Sequence, residues 1–287
     1  SNIFRFDNYW IKFPRFKDTV ANAWSYQMMN SEPSVVIAAK LKETRRCLKK
    51  WKSSHANIYQ QDIDCKIVIN LLDLVEEHRV LTAPELTLRV VITSVLSRGT
   101  QAHLLIWKQR AKICAAIDGD ENTRYFHACA NHCRRRNNIH ILEHNNSELH
   151  EHEQKATVLH DFYLNLLGTN INTSWGFSLS DLYSNERSLG CLDSPISHDE
   201  IYRAIKSMHS TASPGPDGFS PLFFRHSWPL VAEAVCALLS AFYNNSADLE
   251  HINRSFLVLL PKKEEARRPY DFRPIALQNT MVKCISK

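Results

Sequence analysis

Glycine scarcity restricts this chain more than any other feature. Only seven glycines occur in 287 residues, and none precedes Gly99. Each glycine inside a helix costs about 1 kcal/mol, so a stretch without them favours long, uninterrupted helices in the first third. The apolar spacing agrees. Residues 34–56 carry Val35, Ala38, Leu41, Cys47 and Leu48 at helical intervals, and residues 58–75 repeat the pattern with Ile63, Ile67, Leu71, Leu74 and Val75. Pro84 fits the first turn of a third helix, whose stripe of Leu88, Val91, Val95, Leu104 and Leu105 continues as far as Ile117. Gly119 interrupts it. A further helical stretch covers residues 125–136, and Asn137-Asn138 opens a short strand-like run over residues 139–142.

Composition narrows the class. Lys and Arg number 35 against 30 Asp and Glu, with 44% hydrophobic and 23% charged residues, which is ordinary usage for a packed globular protein. The longest nearly uncharged stretch, residues 231–243, contains Glu233 and is shorter than the roughly 20 residues of a bilayer span, so no membrane partner is expected. The opening SNIFRFDNYW has neither the charged nor the apolar region of a signal peptide. Cys47, Cys65, Cys114, Cys129, Cys133, Cys191, Cys236 and Cys284 lie mostly within apolar stretches. The expectation is an unsecreted protein of the cytoplasm or nucleus with reduced, largely buried thiols, in which the sequons at Asn145, Asn172, Asn244 and Asn253 carry no meaning.

From residue 168 to 195 the chain turns to Asn, Ser, Thr and Gly without periodicity, so residues 169–195 are expected as a loop or linker. Beyond it, Ser197-His-Asp-Glu200 has the form of a capping box opening a helix to about Met208. A Pro/Gly turn over residues 213–218 leads to an apolar helix over residues 229–243. Two β-type runs, residues 255–260 and 272–277, form an expected hairpin. The fold class expected is mainly α, becoming α+β at the C-terminal end.

The hairpin carries the densest charge. Over residues 254–287 the cations Arg254, Lys262, Lys263, Arg267, Arg268, Arg273, Lys283 and Lys287 meet only Glu264, Glu265 and Asp271. Such a hairpin either clamps phosphate oxygens or is a solubilised turn. Arg134, Arg135 and Arg136 are a second basic element, suited to a nucleic-acid backbone or to a solvated helix face. His127, Cys129, His132 and Cys133 raise a zinc reading, ranked last because only Cys129 and Cys133 share a helical face and no second ligand pair accompanies them. GxSxG, Walker A and GxGxxG signatures are absent.

Four collinear segments resemble one family. Residues 213–219, SPGPDGF, resemble the PGPDGF segment near the start of the reverse-transcriptase domain of LINE-type, non-LTR retrotransposons, those of plants above all. LLPKK at 259–263 and DFRPIAL at 271–277 resemble that domain's LIPKK and FRPISL motifs, followed by ISK at 285–287. Upstream, WKQRAK at 107–112, GDENTRYFH at 119–127 and RRRN at 134–137 resemble the linker motif W.Q.SR..W...GD.NT.FFH....RR..N, continued by HDFY at 160–163. FRFDNYW at 4–10 is similar to the last strand of the endonuclease domain that precedes the linker.

The resemblance implies an order: residues 1–13 as the end of an endonuclease, 14–168 as a helical linker arm, 169–195 as a loop, and 196–287 as an incomplete fingers subdomain of a right-hand polymerase. It assigns Lys262 and Arg273 to the triphosphate of an incoming deoxynucleotide, whose charge they would neutralise. Pro214, Gly215, Asp217, Gly218 and Lys263 fall on the template side, and Arg134, Arg135 and Arg136 on an RNA-contacting linker. Ala212 stands where a Lys is common in the family. RNA template and DNA primer are the implied partners, and no obligate protein partner is evident.

Magnesium serves the complete family enzyme, held by aspartates in later F.D...AFD and YADD-type motifs that these 287 residues lack. The chain is therefore expected to be a truncated reverse transcriptase, inactive alone, with no catalytic residue, metal or cofactor of its own. The alternative is a non-catalytic RNA- or DNA-binding module using the basic hairpin and helical arm. An incomplete fingers region is further expected to leave its sheet unpaired and the helix over 231–243 partly uncovered.

Overall fold

The structure is a computed structural model that describes residues 3–25, 28, 32–54, 58–111, 123–168, 176 and 194–287. Two compact units gather separate stretches of chain: one takes Ser1–Cys133, His198–Phe256 and Leu277–Lys287, the other Arg134–Ser197 and Leu257–Ala276. The linker expected over 169–195 lies almost wholly outside the described residues.

In the first unit, α1 (Phe16–Trp24) buries Phe16, Val20, Ala23 and Trp24, one stripe of a 3.6-residue period. It packs on α2 (Pro33–Ser54), which buries Ile37, Leu41 and Leu48 and in turn meets α9 (Trp228–Tyr243). The N-terminal segment expected as a strand is not one. Among the described residues, 3–7 have no ladder partner: the Phe6 N–H donates to the Gly218 carbonyl at 2.9 Å, the Phe6 carbonyl accepts from the Gln109 side chain at 2.9 Å, and Asn8–Lys12 wind into a 3-10 helix. The segment's burial still alternates as in an extended strand, with Arg5 exposed between Phe4 and Phe6: Phe6 lies 5.4 Å from Phe223 and 5.8 Å from Phe16, and Phe4 lies 5.3 Å from Phe219, so what it lacks is a pairing partner.

The core is closed by α7 (His198–Ser207) with Ile201 and Ile205, and by α8 (Pro221–His226) with Phe223 and Phe224. It also takes Val231, Val235, Cys236, Leu238 and Leu239 of α9 and Met281 of α10 (Thr280–Ile285). The apolar helix expected to be partly uncovered buries its inner face as far as Leu239 and leaves Phe242 and Tyr243 exposed at its last turn. The short α8 was not legible in the sequence, because six residues fall below one reliable amphipathic period.

The expected second and third helices are α3 (Ile58–Glu76) and α4 (Ala83–Ala111), packed together as a helical hairpin. Thr82 donates its N–H and hydroxyl to Glu85, each at 2.8 Å, half of a capping box with Pro84 in the first turn. Arg79 pairs with Glu85 at 2.6 Å, and Arg89 bridges Asp73 and Glu76. The chain's first glycine lies against α3: a Cβ on Gly99 would collide with the Asp62 carboxylate. Ile63, Ile67, Leu71, Leu74, Val90 and Val91 remain exposed.

The second unit centres on α6 (His152–Leu167), whose Leu159 and Tyr163 pack with Leu142 and Phe272. Here the expected run over 139–142 is displaced: Lys155 donates to the carbonyls of Ile139 (3.0 Å) and His140 (2.9 Å), removing them from any ladder. Pairing begins at β1 (Leu142–His144), antiparallel to β2 (Ser147–Leu149), around Asn145-Asn146, both at positive φ as a type I′ turn requires. The expected basic hairpin is present as β3 (Ser255–Pro261) and β4 (Phe272–Gln278), paired in a two-stranded sheet. Among the described residues no helix is long and apolar enough to cross a membrane.

Candidate nucleotide and nucleic-acid interface

The turn between β3 and β4 spends most of its charge internally. Glu143 and Glu148 stand directly opposite each other across β1 and β2, a repulsive pair. Arg267 answers both, its guanidinium 3.2 Å from Glu148 and 3.5 Å from Glu143, and Arg268 adds a contact to Glu143 at 3.3 Å. The Arg267 carbonyl also accepts the Glu143 N–H at 2.7 Å. Lys263, at 2.9 Å, together with the backbone N–H groups of Arg268 and Arg267, holds the Asp271 carboxyl down at about 2. Lys263, Arg267 and Arg268 thus each have a carboxylate partner within this unit.

Lys262 and Arg273 differ. Lys262 closes the hairpin with its N–H on the Asp271 carbonyl (2.8 Å) and its ammonium on the Tyr270 carbonyl (2.5 Å), and its side chain remains exposed. Arg273 follows the buried Phe272 on β4, so the alternation of the strand turns it to solvent, where it makes no hydrogen bond or ion pair among the described residues. Tyr163 reaches from α6 to fix this end of the hairpin, its hydroxyl 3.1 Å from the carbonyls of both Pro269 and Phe272.

The loop carrying Pro214, Gly215, Asp217 and Gly218 lies in the first unit, with Gly215 and Gly218 buried and Pro214 and Asp217 partly exposed. The Gly218 N–H closes a turn on the Gly215 carbonyl at 3.0 Å. Gly218 has φ +83°, and a Cβ there would strike Phe4, while one on Gly215 would strike Asn279. Asn279 accepts the Asp217 N–H (3.1 Å), Lys283 donates to the Ser213 carbonyl (2.9 Å), and Thr280 donates to that of Phe219 (2.8 Å). Burial pushes the Asp217 carboxyl up to about 6, against the opposing pull of the Phe219 N–H and of Lys283 and Arg45.

Arg134, Arg135 and Arg136 end α5 (Thr123–Arg136) fully exposed, where their charge complements the helix C-terminus. Within the linker-like motif, the His127 ring lies against the Trp107 ring, and buried Phe126 sits under Lys108. Residues 112–122, which include GDEN, are outside the described residues. Among the described residues no group of three or more His, Cys, Asp or Glu side chains is placed to hold a metal ion, and Cys133 is exposed.

No family model matches the chain. Over 182 residues, 62% of its length, it is 28% identical to the transposon TX1 uncharacterized 149 kDa protein of Xenopus laevis. This chain is similar to a transposon protein. It spans 14% of that relative's length.

One set of cations escaped the sequence reading. Lys42, Arg45 and Lys49 recur at i, i+3 and i+7 on α2 within LKETRRCLKKWK. That spacing was the available signal, masked by the apolar stripe used to assign the helix.

Proposed function

We infer that the chain is a stretch of a non-LTR retrotransposon reverse transcriptase, comprising linker and the beginning of the fingers. Lys262 and Arg273 are then contacts for the incoming deoxynucleotide triphosphate. The observation that carries this reading is the contrast on the β3–β4 hairpin: its neighbouring cations are tied to carboxylates, whereas Arg273 stands exposed and unpaired beside the exposed Lys262. The similarity to a transposon protein and the collinear SPGPDGF, LLPKK and DFRPIAL segments support it. The chemistry of the site is charge neutralisation, with Arg able to hold two phosphate oxygens at once and Lys acting as a point charge. Turnover belongs to carboxylates outside these residues, so the 287 residues alone are expected to extend no primer.

The test is equilibrium binding of a fluorescent deoxynucleotide triphosphate with magnesium, comparing the chain with K262Q/R273Q. The double variant should weaken binding at least tenfold. Equal binding by both, or none by either, would dismiss the assignment.

A further inference from the structure

A trough of about 460 Å³ opens in the first unit between the N-terminal 3-10 helix and the α3–α4 hairpin. Its floor is apolar. Gly99 and Ala102 are buried there, with Phe13, Ile58, Val95 and Leu105 half-buried around them. Its rim is polar, formed by Lys12, Arg98, Gln61 and Gln101, all exposed. None of these four makes an ion pair or side-chain hydrogen bond among the described residues. No carboxylate belongs to the described lining either. Asp62, which lies against Gly99, faces His103 at 3.4 Å instead.

The lining is therefore sorted by depth, apolar below and cationic above, as a ligand with an apolar body and one anionic end requires. A polyanion does not match this order. Phosphates spaced ~3.4 Å apart along a strand would meet the floor as well as the rim, and a charge over apolar surface loses hydration without gaining a partner. An extended peptide does not match it either. Val95, Gly99, Ala102 and Leu105 lie in the interior of α4, where the backbone N–H and C=O groups are spent within the helix, so those of a peptide would find no partners on the floor. A hydrocarbon chain brings no such groups. Size sets its length: an apolar cavity of about 150 Å³ takes a benzene ring, so a space of about 460 Å³ has room for roughly eighteen carbon-sized atoms.

We propose that the trough binds an unbranched carboxylic acid of about twelve to sixteen carbons, its chain along Val95, Ala102 and Leu105 and its carboxylate at the rim with Lys12 and Arg98. Near neutral pH such an acid is ionised, and both cations are then its partners. The site does not depend on the nucleotide assignment of the β3–β4 hairpin and uses none of its residues.

The experiment is isothermal titration calorimetry of the full 287-residue chain at neutral pH with dodecanoate, octanoate and uncharged dodecanol, each kept below its micelle or solubility limit. Dodecanoate should saturate a single site, and octanoate should bind at least tenfold more weakly, because each fully buried methylene is worth about fourfold. K12Q/R98Q alters only exposed side chains; it should weaken dodecanoate about tenfold and leave dodecanol unchanged. V95W fills the floor and should weaken both ligands at least tenfold while helical ellipticity is preserved. I67K/L71K, on the uncovered face of α3, should bind as the unaltered chain does. Equal affinity for octanoate and dodecanoate, an unchanged dodecanoate affinity in K12Q/R98Q, loss of binding in I67K/L71K, displacement of dodecanoate by oligouridylate, or no saturable binding by the unaltered chain would each overturn the proposal.

Discussion

An ionised carboxylate inside a packed loop works against the fold that encloses it, and Asp217 is in that position. Its carboxyl is pushed up by burial from 3.8 to about 6, so the folded chain holds this proton more tightly than the unfolded one. Stability from this group is therefore fully present below about pH 3.8, declines between there and about 6, and is absent above, a penalty of ~3 kcal/mol at neutral pH. Asp217→Asn keeps the oxygen that accepts the Phe219 N–H at 2.9 Å. It should raise Tm by about 5 °C at pH 8 and leave it unchanged near pH 3.5, as followed by circular dichroism. An equal shift at both values would remove the charge explanation. The sequence announced a tight turn at PGPDG but not the burial of its Asp, because Asn279, which anchors the loop, is 62 residues away. Arg273 shows the same limit from the other side: its place beside a buried Phe272 follows from strand alternation, whereas the engagement of Arg267 and Arg268 depends on a β-hairpin more than a hundred residues upstream.

Among the elements, helices α2, α3 and α4 were legible because apolar spacing and absent glycines point the same way, and the β3–β4 hairpin because two β-type runs flank a charged turn. The β1–β2 hairpin was not, since strands of three residues are too short to show alternation and Asn145-Asn146 was the lone signal. What ties the hairpin turn to α6 is a side chain that no pattern reveals. Tyr163→Phe would leave the buried Pro269 and Phe272 carbonyls without their donor, at a cost of ~1–3 kcal/mol. Amide hydrogen exchange in β4 should accelerate by at least tenfold while α9 keeps its protection. Equal acceleration in both would mean that the loss is global rather than local to this unit.

For the whole molecule, the liability lies in the α3–α4 hairpin and not in the apolar α9, whose Val231, Val235 and Leu238 are fully covered. Ile67 and Leu71, 52% and 55% exposed and one turn apart, form part of an uncovered apolar face. I67K/L71K should raise the concentration at which light scattering begins while preserving helical ellipticity, and an unaltered onset would place the sticky surface elsewhere. Reading along a chain orders its segments but does not show which distant ones complete each other, so the joining of residues 257–276 to a unit that begins at Arg134 was not legible. That joining sets a timetable. The ribosome delivers the β1–β2 hairpin and α6 first and must add about 90 residues, from Leu167 to Leu257, before their remaining partners emerge, an interval of roughly 4–18 s at the usual pace of synthesis. Throughout that wait Leu159 and Tyr163 lack Phe272, making the nascent chain a natural client for a ribosome-bound chaperone.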